Sequence, residues 1–347
     1  MLIKHNFLDL FQKFITASKN GKRHKKNGER VTIATIRNYE STKKLLASFG
    51  ETFKLEVYEL KGSCKKDFWT AKKYNARFYK SFCDYLTRSH KSVNNYTGHN
   101  IKIIRSFFNW CNIDLGLNTG NFQKLFYVMN EEVPIVTLSI EQLNFLIYDK
   151  PFASKLPDHL QKVKDIFVFG CSTGLRISDL RRLKPENIIR RDGCTYLNIN
   201  TKKTGYETLI RLAPYCIDII AKYKGSSGKL LPLTIDTRFN SYVKEMCVVA
   251  GWTWCLPKYR KIGNKRVEVK KENKQYRFCD MVSSHTMRRT CITNMLYAGM
   301  PEHVVRKISG HAGNSKSFFR YVELAQRLVD QEINKLFDRL IPAEKTE

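Results

Sequence analysis

Two histidines, two arginines and a tyrosine are spaced so that they could act together on one phosphodiester. Ser284-His285-Thr286-Met287-Arg288-Arg289 is followed by Ser309-Gly310-His311 and then by Tyr321, and a second arginine stands upstream in Thr173-Gly174-Leu175-Arg176. A phosphodiester resists attack because the nucleophile approaches a negatively charged centre. More negative charge then builds on the non-bridging oxygens of the pentavalent transition state. A metal ion can neutralise it. Two guanidinium groups from separate segments can also do so, since each stays charged and presents several donors in a fixed plane. Histidines donate hydrogen bonds or move protons near neutrality. A phenolic oxygen that attacks phosphorus conserves the bond energy in a phosphotyrosyl link. The 5′-oxygen that leaves needs a proton, and Lys203 at the tip of a hairpin suits that task, with Lys202 beside it as the rival. Each residue alone has a plainer reading: Tyr321 is one of 17 tyrosines, and Arg176 could simply oppose Asp179. Their joint order and spacing change the odds.

The substrate class follows from charge. Over 347 residues, 61 Lys and Arg stand against 32 Asp and Glu, a formal charge of +29. Such a chain attracts a polyanion. Hydrophobic content of 42% and aromatic content of 12% fit a globular protein rather than a disordered basic tail. No apolar run reaches the length of a membrane-spanning helix, and charge interrupts the first ten residues too early for a secretory signal. Basic residues lie throughout the chain instead of forming one membrane-anchoring patch, which favours nucleic acid. The ten cysteines include no C-x-x-C pair and no histidines at finger spacing, so they read as reduced thiols of a cytoplasmic protein without structural zinc.

The elements that must hold these residues fall into two parts. Residues 1–115 read as a basic, all-helical domain, with helical periodicity over 8–15, 32–49, 78–86 and 93–110. In the last of these Ile101, Ile104, Phe108 and Cys111 make one stripe flanked by Lys102 and Arg105, either a solvated face or contacts to a DNA backbone. Residues 116–136 read as a linker, and Ser139 with Gln142 forms a capping box just beyond it. The part from 137 to 347 is mixed. A buried helix over 163–169 ends at Thr173-Gly174, a second covers 176–183, and alternating segments 196–200 and 207–212 make a hairpin around Lys203-Thr204-Gly205. Residues 258–277 form a strongly basic insert with the look of a second hairpin. Ser283 or Ser284 caps a helix that carries His285 and Arg288 on one face; Pro301 opens the next helix, which ends at Gly310 and hands over to His311. After Tyr321, residues Leu324, Leu328, Val329, Ile333, Leu336, Phe337 and Leu340 make an apolar stripe on a charged helix. The fold class is mainly α with small β-hairpins (α+β).

The boxes Thr173-Gly174-Leu175-Arg176-Ile177-Ser178-Asp179-Leu180, His285-x-x-Arg288, Gly310-His311 and Tyr321 resemble those of the tyrosine recombinases, also called the phage-integrase family. They are most similar to integrases of bacterial mobile elements, which often read S-S-H-T-x-R-R and S-G-H here. The resemblance covers nearly the whole chain. It implies a helical SAM-like core-binding domain, to which residues 32–111 are similar, and a catalytic domain from 137 on that ends in a C-terminal exchange helix. It further implies Arg176 and Arg288 as the paired arginines, His285 and His311 as the two histidines, Lys203 as the hairpin lysine, and Tyr321 as the nucleophile. Asp179 matches the acidic position that supports the first arginine. The implied chemistry is a 3′-phosphotyrosyl intermediate and a free 5′-hydroxyl, with no metal, ATP or other cofactor. The implied partners are double-stranded DNA, a homotetramer on two DNA sites joined through the C-terminal helix, and accessory DNA-bending proteins of host or element. The implied place is the bacterial cytoplasm, at the nucleoid when bound.

Two features depart from or refine the pattern. The step from His311 to Tyr321 is one residue longer than the family pattern because of Ala312-Gly313-Asn314-Ser315, which leaves the phase of the last helix open. The first helix reads as part of the core-binding domain, so a separate arm-binding domain is not expected, which favours a simple recombinase. A DNA invertase or chromosome-dimer resolvase would use the same residues. A type IB topoisomerase would use the same covalent chemistry as a monomer, and a non-catalytic DNA-binding protein could keep the fold. Target sequence depends on base contacts and DNA deformability, which charge patterns do not reveal.

Overall fold

A computed structural model of the chain describes residues 1–25, 27–200, 207–225, 228–232, 238–311, 313 and 315–340. The chain divides into two compact units, Met1–Val133 with Tyr259–Val269, and Pro134–Lys258 with Lys270–Glu347.

The first unit begins with β1 (Leu2–Asn6) and α1 (Phe7–Lys19), followed by α2 (Ile33–Gly50), β2 (Glu56–Leu60), α3 (Lys65–Asp84) and α4 (Asn94–Ile113). Asn6 starts α1 by accepting a hydrogen bond from the backbone of Asp9 at 3.2 Å, which satisfies one of the open donors of the first turn. Phe7, Phe11 and Phe14 recur at helical spacing along α1 and bury one face against α4, with Phe107 4.9 Å from Phe7 and 5.0 Å from Phe11 between ring centroids. The α4 stripe lies inside as its spacing requires: Ile101, Ile104, Phe108 and Cys111 are buried, whereas Lys102 is exposed and Arg105 half-buried.

This unit also contains a sheet that an all-helical reading of residues 1–115 omits. β1 pairs antiparallel with β2 in the register Leu2↔Leu60. Five-residue segments are too short to display a period, and their pairing is a tertiary contact between distant stretches. The stretch 116–133 is packed too, since Phe122 and Phe126 are buried in the same aromatic core and Gln123 donates to Asn109 at 2.9 Å.

The second unit runs through α5 (Ile140–Tyr148), α6 (Lys150–Lys155), α7 (Asp158–Thr173), α8 (Ile177–Leu180), β3 (Ile188–Arg191), β4 (Cys194–Asn200), β5 (Glu207–Arg211), α9 (Pro214–Lys222) and α10 (Phe239–Val249). The chain then forms the hairpin β6 (Lys258–Ile262) and β7 (Lys265–Val269), and continues with α11 (Phe278–Met281), α12 (Ser284–Tyr297), α13 (Glu302–Ser309) and α14 (Lys316–Leu340). The hairpin from Tyr259 on belongs to the first unit. There Arg260 donates to Glu131 at 2.9 Å, and Asn94 exchanges two 2.8 Å hydrogen bonds with the backbone of Gly263.

Ser139 caps α5 reciprocally with Gln142, at 3.2 and 3.0 Å. Strands β3, β4 and β5 form one antiparallel sheet, with Leu197 opposite Ile210 and both buried. The core of the unit gathers around α7, whose Val163, Ile166, Phe167 and Phe169 are buried. All ten cysteines are free thiols. Among the described residues, no helix is long and apolar enough to cross a membrane.

Candidate active site

The site is organised by the ends of two helices. α12 approaches α7 closely at Gly170, where a Cβ would lie 2.5 Å from the sulfur of Met287. This contact carries the next residue, Arg288, to the end of α7. That helix stops at Gly174, which takes the left-handed conformation at φ +66°, and α13 stops at Gly310 in the same way at φ +60°. Glycine adopts this conformation without a Cβ penalty. The last carbonyls of a helix lack intrahelical donors and carry the negative end of its dipole. Arg288 fills both: one amino group donates to the carbonyl of Gly174 at 2.9 Å and the other to the carbonyl of Ser309. With only 7% of the side chain exposed, burial first and the charge of Arg176 second push its pKa down to about 10. The group therefore stays cationic at neutral pH.

His311 lies on the far side of Arg288. Its backbone N–H donates to the Arg306 carbonyl at 3.0 Å. Its Nδ1 is 2.8 Å from the Ser309 hydroxyl and 3.3 Å from an Arg288 amino group. Arginine can only donate, so that contact makes Nδ1 an acceptor and leaves the ring proton on Nε2. Burial, then Arg288, Arg176 and Arg306, push the His311 pKa down to about 4. The ring is neutral at pH 7, with a proton to offer as a hydrogen bond.

Tyr321 sits on α14, half-buried, with its ring centroid 5.9 Å from that of His311. α14 packs along α12, anchored by Phe318, which is fully buried with Ile292 and Val305. The phenol thus stands beside the imidazole of its own chain, on a helix that begins at Lys316.

Arg176 precedes α8. Its Nη1 is buried and has no hydrogen-bond partner among the described residues, an uncommon state for a buried donor and one that an anionic oxygen would relieve. Asp179 is buried and binds Arg182 at 2.7 Å. His285 is exposed on the first turn of α12, three residues before Arg288. Lys203 and its rival Lys202 lie outside the described residues. Lys102 and Arg105 are in the first unit, on α4. Among the described residues no group of three or more His, Cys, Asp or Glu is placed to hold a metal ion. Sequence reasoning missed Ser309, whose hydroxyl and carbonyl touch His311 and Arg288. The signal was present in Ser309-Gly310-His311, but nothing in spacing says which group a helix-ending serine meets.

Residues 154–327 match the model of the phage integrase family. The chain belongs to that family. This integrase-family chain is 26% identical over 203 residues to transposase B from transposon Tn554 of Staphylococcus aureus strain Mu50 / ATCC 700699, and equally so to that of strain N315. The match covers 58% of the chain and 29% of the transposase, so the chain spans less than a third of those relatives. Among solved structures it is similar to a lambda integrase (75–356) dimer bound to a COC′ core site, at a TM-score of 0.54 and 15% identity, over 93% of this chain and 95% of that one. It is also similar to the Tn1549 transposon integrase (82–397) in complex with circular intermediate DNA, at a TM-score of 0.51 and 18% identity, over 91% and 94%. At such identities the likeness is one of fold, and it extends over most of the chain.

Proposed function

We propose that this chain is a site-specific DNA recombinase of a bacterial mobile element, acting through a 3′-phosphotyrosyl intermediate on Tyr321. The observation that carries the reading is one cluster: Tyr321 lies 5.9 Å from His311, whose Nδ1 is 3.3 Å from Arg288. Arg176 and Arg288 hold the two non-bridging oxygens of the scissile phosphate, and the Nε2–H of His311 adds a third donor. His285, exposed on the helix that carries Arg288, serves the same phosphate from the mouth of the site. As the phenolic oxygen bonds to phosphorus its proton passes to solvent water, the bond from phosphorus to O5′ breaks, and O5′ takes a proton from Lys203 or its neighbour Lys202. Attack by a 5′-hydroxyl from another strand reverses the step and releases the tyrosine. No step requires a metal, because guanidinium groups neutralise the developing charge.

The formal charge of +29 supports duplex DNA as the substrate. The names of the relatives, a transposase, a transposon integrase and lambda integrase, support integration or excision as the setting. Exchange of strands between two sites calls for a tetramer. The stripe on α14 supports one: Ile333 is 40% and Phe337 56% exposed, apolar surface that a neighbouring protomer would cover. Accessory DNA-bending proteins would set direction.

A nicked suicide substrate tests the chemistry on a denaturing gel. Wild type should give a DNA-linked protein band that survives chelator, and Tyr321→Phe should give none; a band in that variant would move the nucleophile elsewhere. Two marked sites then separate recombination from topoisomerase action, since only a recombinase yields recombinant joints.

A further inference from the structure

We infer that Arg306 is a positioning residue that seats the nucleophile helix, holding Tyr321 at its working distance from His311. The inference rests on the reading of Tyr321 as nucleophile and adds a residue to it. Arg306 lies in the last turn of α13 and touches both His311 and the aromatic residues that open α14. Its carbonyl accepts from the backbone N–H of His311 at 3.0 Å. Its guanidinium carbon lies 3.9 Å from the ring centroid of Phe318 and 5.1 Å from that of Phe319. Phe318 is one helical turn before Tyr321, and its ring is 5.4 Å from His311 and 6.3 Å from Tyr321.

The sequence shows why such a clamp is needed. The residues that join His311 to α14 read Ala312-Gly313-Asn314-Ser315, which offer no large apolar anchor. Something beyond the chain connection must fix the angle of α14. Arg306 is well held for this: its side chain is 11% exposed and pairs with Glu302 on the preceding turn at 3.2 Å. A desolvated guanidinium over an aromatic face is worth roughly tenfold in the equilibrium between seated and unseated helix. Misplacing a nucleophile by a fraction of that motion slows its attack.

Two measurements on the full chain test this. The variants are Arg306→Met, which keeps the apolar stem but loses the cation, and Arg306→Lys, which keeps a cation. In DNA-free protein, hydrogen exchange at amides 318–322 should run roughly tenfold faster in Arg306→Met than in wild type, with α12 unchanged. On the nicked substrate at saturating DNA, Arg306→Met should form the covalent complex roughly tenfold more slowly, with DNA affinity and melting temperature near wild type, and Arg306→Lys should recover most of the rate. Unchanged exchange in Arg306→Met overturns the inference. So does a rate loss matched by equal losses of DNA affinity or melting temperature, or a lysine variant no better than methionine. If wild type forms no covalent complex but the exchange result holds, the seat stands and the nucleophile assignment falls.

Discussion

The two units are built around different kinds of centre. In the first, phenylalanines from α1, α3 and α4 pack ring against ring, as where Phe7 meets Phe78 at 5.4 Å and Phe107 at 4.9 Å. In the second, the region around α12 encloses a cation, Arg288, together with the buried hydroxyls of Thr286 and Thr290. Rings tolerate a range of tilts and offsets with similar energy. A buried guanidinium does not, because each donor must meet an acceptor or cost several times what the bond returns. The second centre therefore dictates geometry around it: two helices must end where their carbonyls face Arg288, and glycines end them.

The largest effect that would test this contrast is on Arg288→Ala. Cleavage of the suicide substrate should fall by about 10²–10³-fold, the loss typical of a transition-state donor, with DNA affinity little changed. Urea denaturation should show a further cost of about 1–3 kcal/mol for the stranded carbonyls of Gly174 and Ser309. A variant that lost only affinity would remove Arg288 from the chemistry. Next comes Phe78→Ala, at a site 1% exposed, which should cost about 3–5 kcal/mol of stability. Its single-turnover cleavage rate at saturating DNA should match wild type; a slowed rate in the folded variant would mean that the aromatic unit shapes the site.

A smaller effect concerns pH. His311 is pushed down to about 4 in the folded chain, whereas an unfolded histidine titrates near 6.5. The unfolded state then binds more protons between these values, so this residue's contribution to stability is complete above about 6.5 and is lost as pH falls towards 4. Ring NMR signals of His311 should titrate near 4, and His311→Gln should flatten the fall of melting temperature over that window. A midpoint near 6.5 would mean that the ring is not enclosed with the arginines. The smallest effect is that of Lys102→Ala: if this exposed α4 lysine touches a phosphate, the slope of log affinity against log salt should drop by about one, with cleavage of bound DNA unchanged.

Much of the fold was legible because it is local. The Ser139–Gln142 capping box, the Gly174 and Gly310 stops, the β4–β5 pairing and the α4 stripe each depend on residues within a few positions, or across one hairpin. The candidate site residues stand out by type and order, and of these Arg288, His311 and Tyr321 lie together in the fold. What the sequence hid are contacts between distant stretches. β1 meets β2 across some fifty residues, the stretch 116–133 packs where composition suggested a linker, and the basic hairpin lodges with the first unit through Arg260 and Glu131. Charge pattern gave Arg260 no more claim to a carboxylate than its many basic neighbours.

By itself the sequence determined which groups are candidates for the chemistry, the order in which they arrive and the glycines at which α7 and α13 stop. Helical periodicity, capping and glycine's tolerance of positive φ act over one or two turns, and they are written in adjacent letters. Only the tertiary structure decided that Arg288 is solvated by a carbonyl 114 residues away, that Ser309 holds the ring of His311, and that Tyr321 faces the histidine of its own chain. Those pairings follow from how helix faces interlock, at Gly170 against Met287 and at Phe318 beneath Arg306. Such complementarity is a property of assembled surfaces, and no short segment contains it.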